Sequence, residues 1–266
     1  MPAPTNAFKQ RLKSGSAQIG LWVALANPYS AEVVAGLGFE WLLLDGEHAP
    51  NDVPLLLSQL QAVATSSSHP VVRLPIGETW LIKQVLDIGA QTLLIPMVEG
   101  AEQARELVRA TRYPPHGIRG VGAALARASG FNRVTDYLPT ANDEICLLLQ
   151  IETLKGLAAI EEIAAVEGVD GLFIGPSDLA ADMGHLGNPA YRDVRAAVED
   201  GLNRIKATGR ASGTLATTFD FADAVLGLGT DFVAVGTDVS LLMRGGADLL
   251  RRFKQDGKEP GKSGGY

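Results

Sequence analysis

The feature that most constrains this chain is a repeated junction in which an amphipathic helical pattern ends at a glycine and a buried strand follows almost at once. Four copies are legible, AGLGFEWLLLDGE, DIGAQTLLIPMVE, AVEGVDGLFIGPSD and LGLGTDFVAVGTD, with Gly38, Gly89, Gly168 and Gly229 at the helix exits. A helix exit often takes left-handed backbone, which glycine adopts without a Cβ clash. In each copy the residue seven positions later, Asp45, Pro96, Gly175 or Gly236, closes the apolar run. Equal spacing sets the strand ends at one level, as the parallel strands of a single barrel require.

Further strands fit at QIGLWVAL, VVRLP, ICLLLQIE and SGTLAT, bringing the number to eight. The stretches between them carry helical apolar periodicity: PYSAEVVAGLG behind the Asn27-Pro28 start signal, TWLIKQVLDIG, AEQARELVRATR, LKGLAAIEEIAAV and YRDVRAAVEDGLNRIKAT. Nearly continuous apolar strands alternating with such helices predict an α/β fold with a parallel sheet covered on its outer side. A single (β/α)8 TIM barrel is preferred over an open doubly wound sheet, because eight units fit the 266 residues and no GxGxxG follows the first strand. The barrel is expected over residues 1–253, with 254–266 a disordered tail. Two segments break the repeat: residues 113–144, between the fourth helix and fifth strand, and residues 176–190, expected as a loop after the sixth strand on the face where barrel sites are built.

The 46% hydrophobic content comes in short runs, none as long as the ~18 unbroken apolar residues of a membrane helix. The start, MPAPTNAFKQRLKSG, has basic residues but no apolar stretch behind them, so a cytoplasmic protein without a signal peptide is expected. The lone Cys146, inside ICLLLQIE, reads as a buried small hydrophobe. A formal charge of −7 without acidic or basic blocks argues against nucleic acid and against a membrane surface, leaving small molecules as partners.

Polar residues just beyond barrel strands converge on one opening, and here they are Trp22, Asp45, Glu47, His48, Arg73, Gln150, Glu152, Ser177 and Asp178. Glu152 and Asp178, at the ends of adjacent strands, could share a hard cation, or could simply cap the helices that follow. Arg73 could hold a carboxylate or enolate oxygen through paired hydrogen bonds, or pair with an acid of a neighbouring strand. His48 directly follows a core strand with Asp45 close enough to orient its ring, which suggests an acid/base dyad; His69, His116 and His185 are expected only to position loops. All eight lysines fall on expected helices, near the termini or in the tail, so no amine projects from a strand for Schiff-base chemistry. No GxSxG elbow, P-loop or CxxC motif competes.

The combination LLLDGEHAPND, VVRLP, LLLQIET and GLFIGPSDLA, in this order, resembles the HpcH/HpaI aldolase family, over residues 7 to 253. The resemblance implies a class II pyruvate aldolase, a carbon-carbon lyase that reversibly cleaves 4-hydroxy-2-oxo acids to pyruvate or hydroxypyruvate and an aldehyde through a metal-stabilised enolate. It places a divalent metal ion (Mg²⁺, Mn²⁺ or Co²⁺) on Glu152 and Asp178. Catalytic roles fall on His48, Asp45, Arg73 and Asp87, the last an acid associated with the dyad. Substrate contacts fall on Trp22, Arg73, Gln150, Gly175, Pro176, Ser177 and Leu215, with Ser177 standing where a relative often has alanine. The family is similar to the phosphoenolpyruvate/pyruvate barrels, exchanges its last helix between subunits and assembles as a homo-hexamer, a dimer of trimers. Two alternatives are a citryl- or malyl-CoA lyase-like enzyme, which would need a basic surface that this sequence does not show, and a non-catalytic barrel binding metal or ketoacid.

Overall fold

In the computed structural model, which describes residues 1–254, eight parallel strands close into one barrel in sequence order. They are β1 (Gln18–Val23), β2 (Trp41–Asp45), β3 (His69–Arg73), β4 (Thr92–Ile95), β5 (Cys146–Ile151), β6 (Gly171–Ile174), β7 (Ala211–Leu215) and β8 (Phe232–Thr237). The helices are α1 (Ala7–Arg11), α2 (Pro28–Ala35), α3 (Val53–Val63), α4 (Thr79–Asp87), α5 (Ala101–Thr111), α6 (Tyr137–Glu144), α7 (Leu154–Ala158), α8 (Ile160–Ala164), α9 (Pro176–Asp182), α10 (Arg192–Ala207), α11 (Phe219–Gly227) and α12 (Asp238–Lys254). The (β/α)8 expectation holds, and all four junction glycines have the left-handed φ inferred for them, from +74° at Gly229 to +103° at Gly89. The tail expected from residue 254 falls outside the described residues except for Lys254, which closes α12.

Strand side chains alternate between two cores, because successive Cβ atoms point to opposite faces. Leu42, Leu44, Val72, Leu93, Ile95, Leu147, Leu149, Leu172 and Val233 point outward into the layer shared with the helices. Trp41, Leu43, Val71, Leu94, Cys146, Leu148, Phe173, Phe232 and Ala234 fill the barrel itself, with Phe8 of α1 entering from the N-terminal end. That end is an aromatic plug: the Phe8 and Phe232 rings lie 5.8 Å apart, Trp41 and Phe232 5.9 Å. Two strand glycines make room for it. A Cβ at Gly20 would sit 2.1 Å from the Trp41 ring, and one at Gly213 2.2 Å from Phe232.

Several elements differ from expectation. Residues 176–182 form α9 instead of a loop, since Pro176 at its start brings a helical φ at no hydrogen-bond cost. The stretch LKGLAAIEEIAAV divides into α7 and α8 at Ala159. The helix after β2, α3, belongs to the expected repeat and is capped by Asp52, whose Oδ1 accepts from the Leu55 amide at 2.8 Å. The interposed stretch 113–144 holds two single turns of 3-10 helix and α6, packed with Ala3 around Tyr113 and Tyr137. His69 lies on β3 instead of in a loop, stacked on Phe8 at 5.5 Å with Nε2 2.8 Å from Thr92 Oγ1; burial pulls its pKa down to about 4. No strand among the described residues carries a lysine.

Candidate active site at the barrel mouth

At the C-terminal ends of the strands the inward face turns from apolar to polar. Leu43 is followed on that face of β2 by Asp45, Val71 on β3 by Arg73, and Leu148 on β5 by Gln150, with Glu152 one step beyond. These four polar side chains are buried at 2–5% exposure, so each must find partners or a ligand.

Arg73 and Asp45 find each other. Asp45 Oδ1 accepts from Arg73 Nε at 2.8 Å and its Oδ2 from Nη2 at 2.6 Å, a bidentate pair. Trp22 Nε1 donates to the same Oδ2 at 3.0 Å, and the guanidinium lies over the Trp22 ring, 4.8 Å from its centroid. Burial acts to raise the Asp45 pKa, but the hydrogen bonds and charge of Arg73, with help from Trp22, hold it below the ordinary value. On its other side Arg73 Nη1 stands 2.7 Å from Glu47 Oε2. Burial lifts the Glu47 pKa against the pull of Arg73, with the Asp45 and Asp178 charges adding to the rise. Glu47 Oε2 nonetheless accepts no hydrogen bond, so Arg73 keeps both N–H groups of Nη1 and the second of Nη2 for something else.

The Asp45–His48 dyad is not formed as expected. Asp45 Oδ1 accepts from the backbone amides of Glu47 (2.9 Å) and His48 (3.3 Å), which shapes the turn but leaves the ring alone. With both carboxylate oxygens committed to Arg73, Trp22 and the turn, the acid orients the arginine. The His48 ring stands at the rim, its side chain 65% exposed, with Nε2 4.0 Å from Glu47 Oε2. Asp87 is not brought to the mouth of its own chain either. It ends α4, and because α4 runs back against β3 its last residue lies at the opposite end of the barrel, where Asp87 pairs with the buried Arg119 at 2.7 Å.

Glu152 Oε2 accepts from Gln150 Nε2, and its Oε1 from the Met97 amide at 2.8 Å. Burial, reinforced by the charges of Glu47 and Asp178, pushes its pKa up to about 7 in spite of those two donors. The side chain enters its slot because residue 175 is glycine: a Cβ there would stand 2.7 Å from Glu152 Oε2 and 3.3 Å from Gln150 Nε2. Gly175 therefore acts by clearance. Asp178 projects from the first turn of α9 and is exposed, and Gln150 Oε1 is buried without a donor. Glu152 and Asp178 thus line one space, with Asp45 and Glu47 packed on its single arginine. That surplus of negative charge, with an orphaned amide oxygen beside it, fits a hard divalent cation held by oxygen. Among the described residues no cluster of three acids, histidines or cysteines closes around a metal ion, so water or substrate would have to complete the shell of Glu152 and Asp178.

A cavity of about 130 Å³ gathers Trp22, His48, Arg73, Gln150, Glu152, Gly175, Pro176, Ser177, Asp178 and Leu215, together with Phe173; of the residues expected in the site, Asp45 and Glu47, packed on Arg73, and the distant Asp87 lie outside its lining. Three contributors, Glu47, Met97 and the cavity-lining Phe173, have no role that the sequence alone assigns. Glu47 was visible two residues after Asp45. Met97, which takes a left-handed φ of +56° and so aims its amide at Glu152, gives no local signal, because only the neighbouring strand demands that turn.

A (β/α)8 barrel whose mouth gathers an arginine, an amide and four acids defines an enzyme of the class that works on small oxygen-rich molecules at the strand ends. The chain belongs to the HpcH/HpaI aldolase/citrate lyase family, whose profile matches residues 18–245. It is 59% identical to a hydroxypyruvate/pyruvate aldolase of Pseudomonas aeruginosa over 99% of this chain and 98% of that protein. It is 58% identical to a 4-hydroxy-2-oxo-heptane-1,7-dioate aldolase of Klebsiella pneumoniae, over 93% of this chain and 94% of the relative. Among solved structures, a family protein from Burkholderia cenocepacia J2315 superposes with a TM-score of 0.91 at 41% identity, covering 94% of this chain and 100% of the other.

Proposed function

We propose that this protein is a divalent-metal-dependent aldolase that reversibly cleaves 4-hydroxy-2-oxo acids to pyruvate or hydroxypyruvate and an aldehyde. The observation that carries this reading is the placing of Glu152, Asp178 and Arg73 around one cavity at the barrel mouth. The names of the relatives at 59% and 58% identity support it.

Glu152 and Asp178 would hold the ion, with Mg²⁺, Mn²⁺ and Co²⁺ all compatible with carboxylate and water donors. When bound, the ion supplies Lewis acidity that lowers the cost of negative charge on the keto oxygen. Arg73, preset by Asp45 and Glu47, directs its remaining N–H groups at the ketoacid carboxylate and at the oxygen that gains charge. The Ser177 amide, on the first turn of α9, faces the same end. Gln150 holds Glu152 in place, and Trp22 buttresses Arg73 while walling the cavity with Leu215. In cleavage, His48 takes the proton of the C4 hydroxyl as the C3–C4 bond breaks; the electron pair stays on the pyruvate fragment, which is protonated at C3 to give the methyl group. The exposed ring of His48 suits exchange of that proton with water.

Two further features belong to this reading. The apolar positions of α12, including Leu242 and Phe253 at 65% and 67% exposure, are uncovered in a single chain, which supports exchange of this helix between subunits of a hexamer. Asp87 would then act only across a subunit boundary. The unpaired Cys146 suits a reducing cytoplasm, and no described helix is long and apolar enough to cross a membrane. The decisive experiment is metal depletion followed by reconstitution with single ions, assayed with pyruvate and hydroxypyruvate against a panel of aldehydes. Full turnover after EDTA treatment would disprove the metal role, and no turnover with any donor and aldehyde would disprove the activity.

A further inference from the structure

The site cavity has a neighbour. A lobe of about 60 Å³ shares Pro176, Ser177 and Leu215 with it and continues between the β6 and β7 ends toward α10 and α11. Its far wall is Arg195, Thr217 and Phe221. The lobe continues past Pro176, Ser177 and Leu215 from the cavity that would take the ketoacid, so it is open to the far end of a longer reacting molecule.

Among the described residues, Arg195 is the sole lysine or arginine lining either space apart from Arg73. Its guanidinium rests on Phe221, 5.1 Å from the ring centroid, so the side chain is braced without using its donors. Asp193 pairs with Arg192, and Asp200 and Glu161 pair with Arg204, while Glu199, one turn further along α10, and Asp220, beside Phe221, stand without reaching the Arg195 guanidinium. Among the described residues no carboxylate pairs with Arg195. A half-buried guanidinium with free N–H groups, beside a mouth crowded with Glu47, Glu152 and Asp178, is where an anionic ligand group meets attraction instead of repulsion.

We infer that Arg195 is a specificity-determining residue that receives an anionic group at the far end of the aldehyde, a carboxylate or a phosphate. The assignment rests on the aldolase reading above and adds the chemical character of the second substrate. The apolar walls, Pro176, Leu215 and Phe221, take the short carbon chain that separates the two ends.

The test compares metal-loaded wild type, Arg195→Ala and Arg195→Lys with pyruvate and three aldehydes of equal chain length, ending in carboxylate, in phosphate or in a neutral hydroxymethyl group. Wild type should prefer an anionic aldehyde in kcat/KM. Arg195→Ala should lower the anionic-to-neutral ratio by about tenfold to a hundredfold, chiefly through KM, as expected for a lost charged hydrogen bond, and Arg195→Lys should recover part of it. The anion more affected by the substitution, carboxylate or phosphate, is the one the lobe accepts. An unchanged ratio in Arg195→Ala, or a wild type without anionic preference, overturns the assignment and leaves the aldolase reading standing. A wild type that turns over none of the three aldehydes, or any other aldehyde, overturns both.

Discussion

The two ends of this barrel are built from the same eight strands and have opposite chemistry. At the N-terminal end Phe8, Trp41 and Phe232 interlock, strand glycines clear space for their rings, and short α1 closes the opening. At the C-terminal end the inward positions become Asp45, Arg73, Gln150 and Glu152, and glycine clears space for a carboxylate at Gly175. One end maximises buried apolar contact; the other sets four acids near one arginine, a surplus of negative charge that a bound cation relieves. The difference teaches where stability and activity separate. A change at the plug should cost folding energy with little effect on chemistry, and a change at the mouth should do the reverse.

The sharpest way to break that comparison is Glu152→Gln. It should lower kcat/KM roughly a thousandfold, because metal binding and charge stabilisation fail together, while thermal stability holds or rises, since a carboxylate disfavoured by burial is gone. A large loss of melting temperature would show that the mouth also bears on folding. Trp41→Ala is the mirror image: a fully buried ring is lost from the plug, and denaturant unfolding should register about 3–5 kcal/mol of destabilisation with kcat nearly unchanged.

Arg73→Ala tests the case that spans both behaviours. Solvent-deuterium exchange into the pyruvate methyl group, followed by NMR, should slow by about a hundredfold, and Asp45, left buried without its partner, should add about 3 kcal/mol of instability. Undiminished exchange would remove Arg73 from the mechanism. His48→Ala should slow aldol bond making about a hundredfold with almost no change in melting temperature, because the ring stands exposed at the rim.

The smallest effect belongs to the plug. His69 titrates near 6.5 when unfolded and is held to about 4 in the fold, so the unfolded chain binds the extra proton first. Stability is fully present above about pH 6.5 and declines as pH falls toward 4. His69→Gln should flatten the melting-temperature profile between pH 6.5 and 5 relative to wild type.

Much of this was legible in the chain. The four glycine junctions, with their equal spacing, set both the parallel strands and the level at which they end, since backbone sterics at a helix exit and the length of a buried strand are local matters. Equal strand ends in turn place Arg73, Gln150, Glu152, Ser177 and Asp178 on one rim from spacing alone. The helix at residues 176–182 was missed because PSDLAAD is too short to show a period, and the break at Ala159 because α7 and α8 share one apolar pattern.

Sequence alone determined that the chain forms a barrel with acids and an arginine at the strand ends, for these follow from period, spacing and residue type. Only the tertiary structure decided who pairs with whom. Asp45 lies three residues from His48 yet bonds Arg73 of the next strand, because the β2–β3 register sets Asp45 directly opposite Arg73. Asp87 is helical as expected but at the wrong end for its own mouth, because α4 runs back against β3. Met97 offers its amide to Glu152, and Arg195 keeps its donors free, for the same reason: hydrogen-bond partners are chosen by distance in space, which spacing along the chain does not encode.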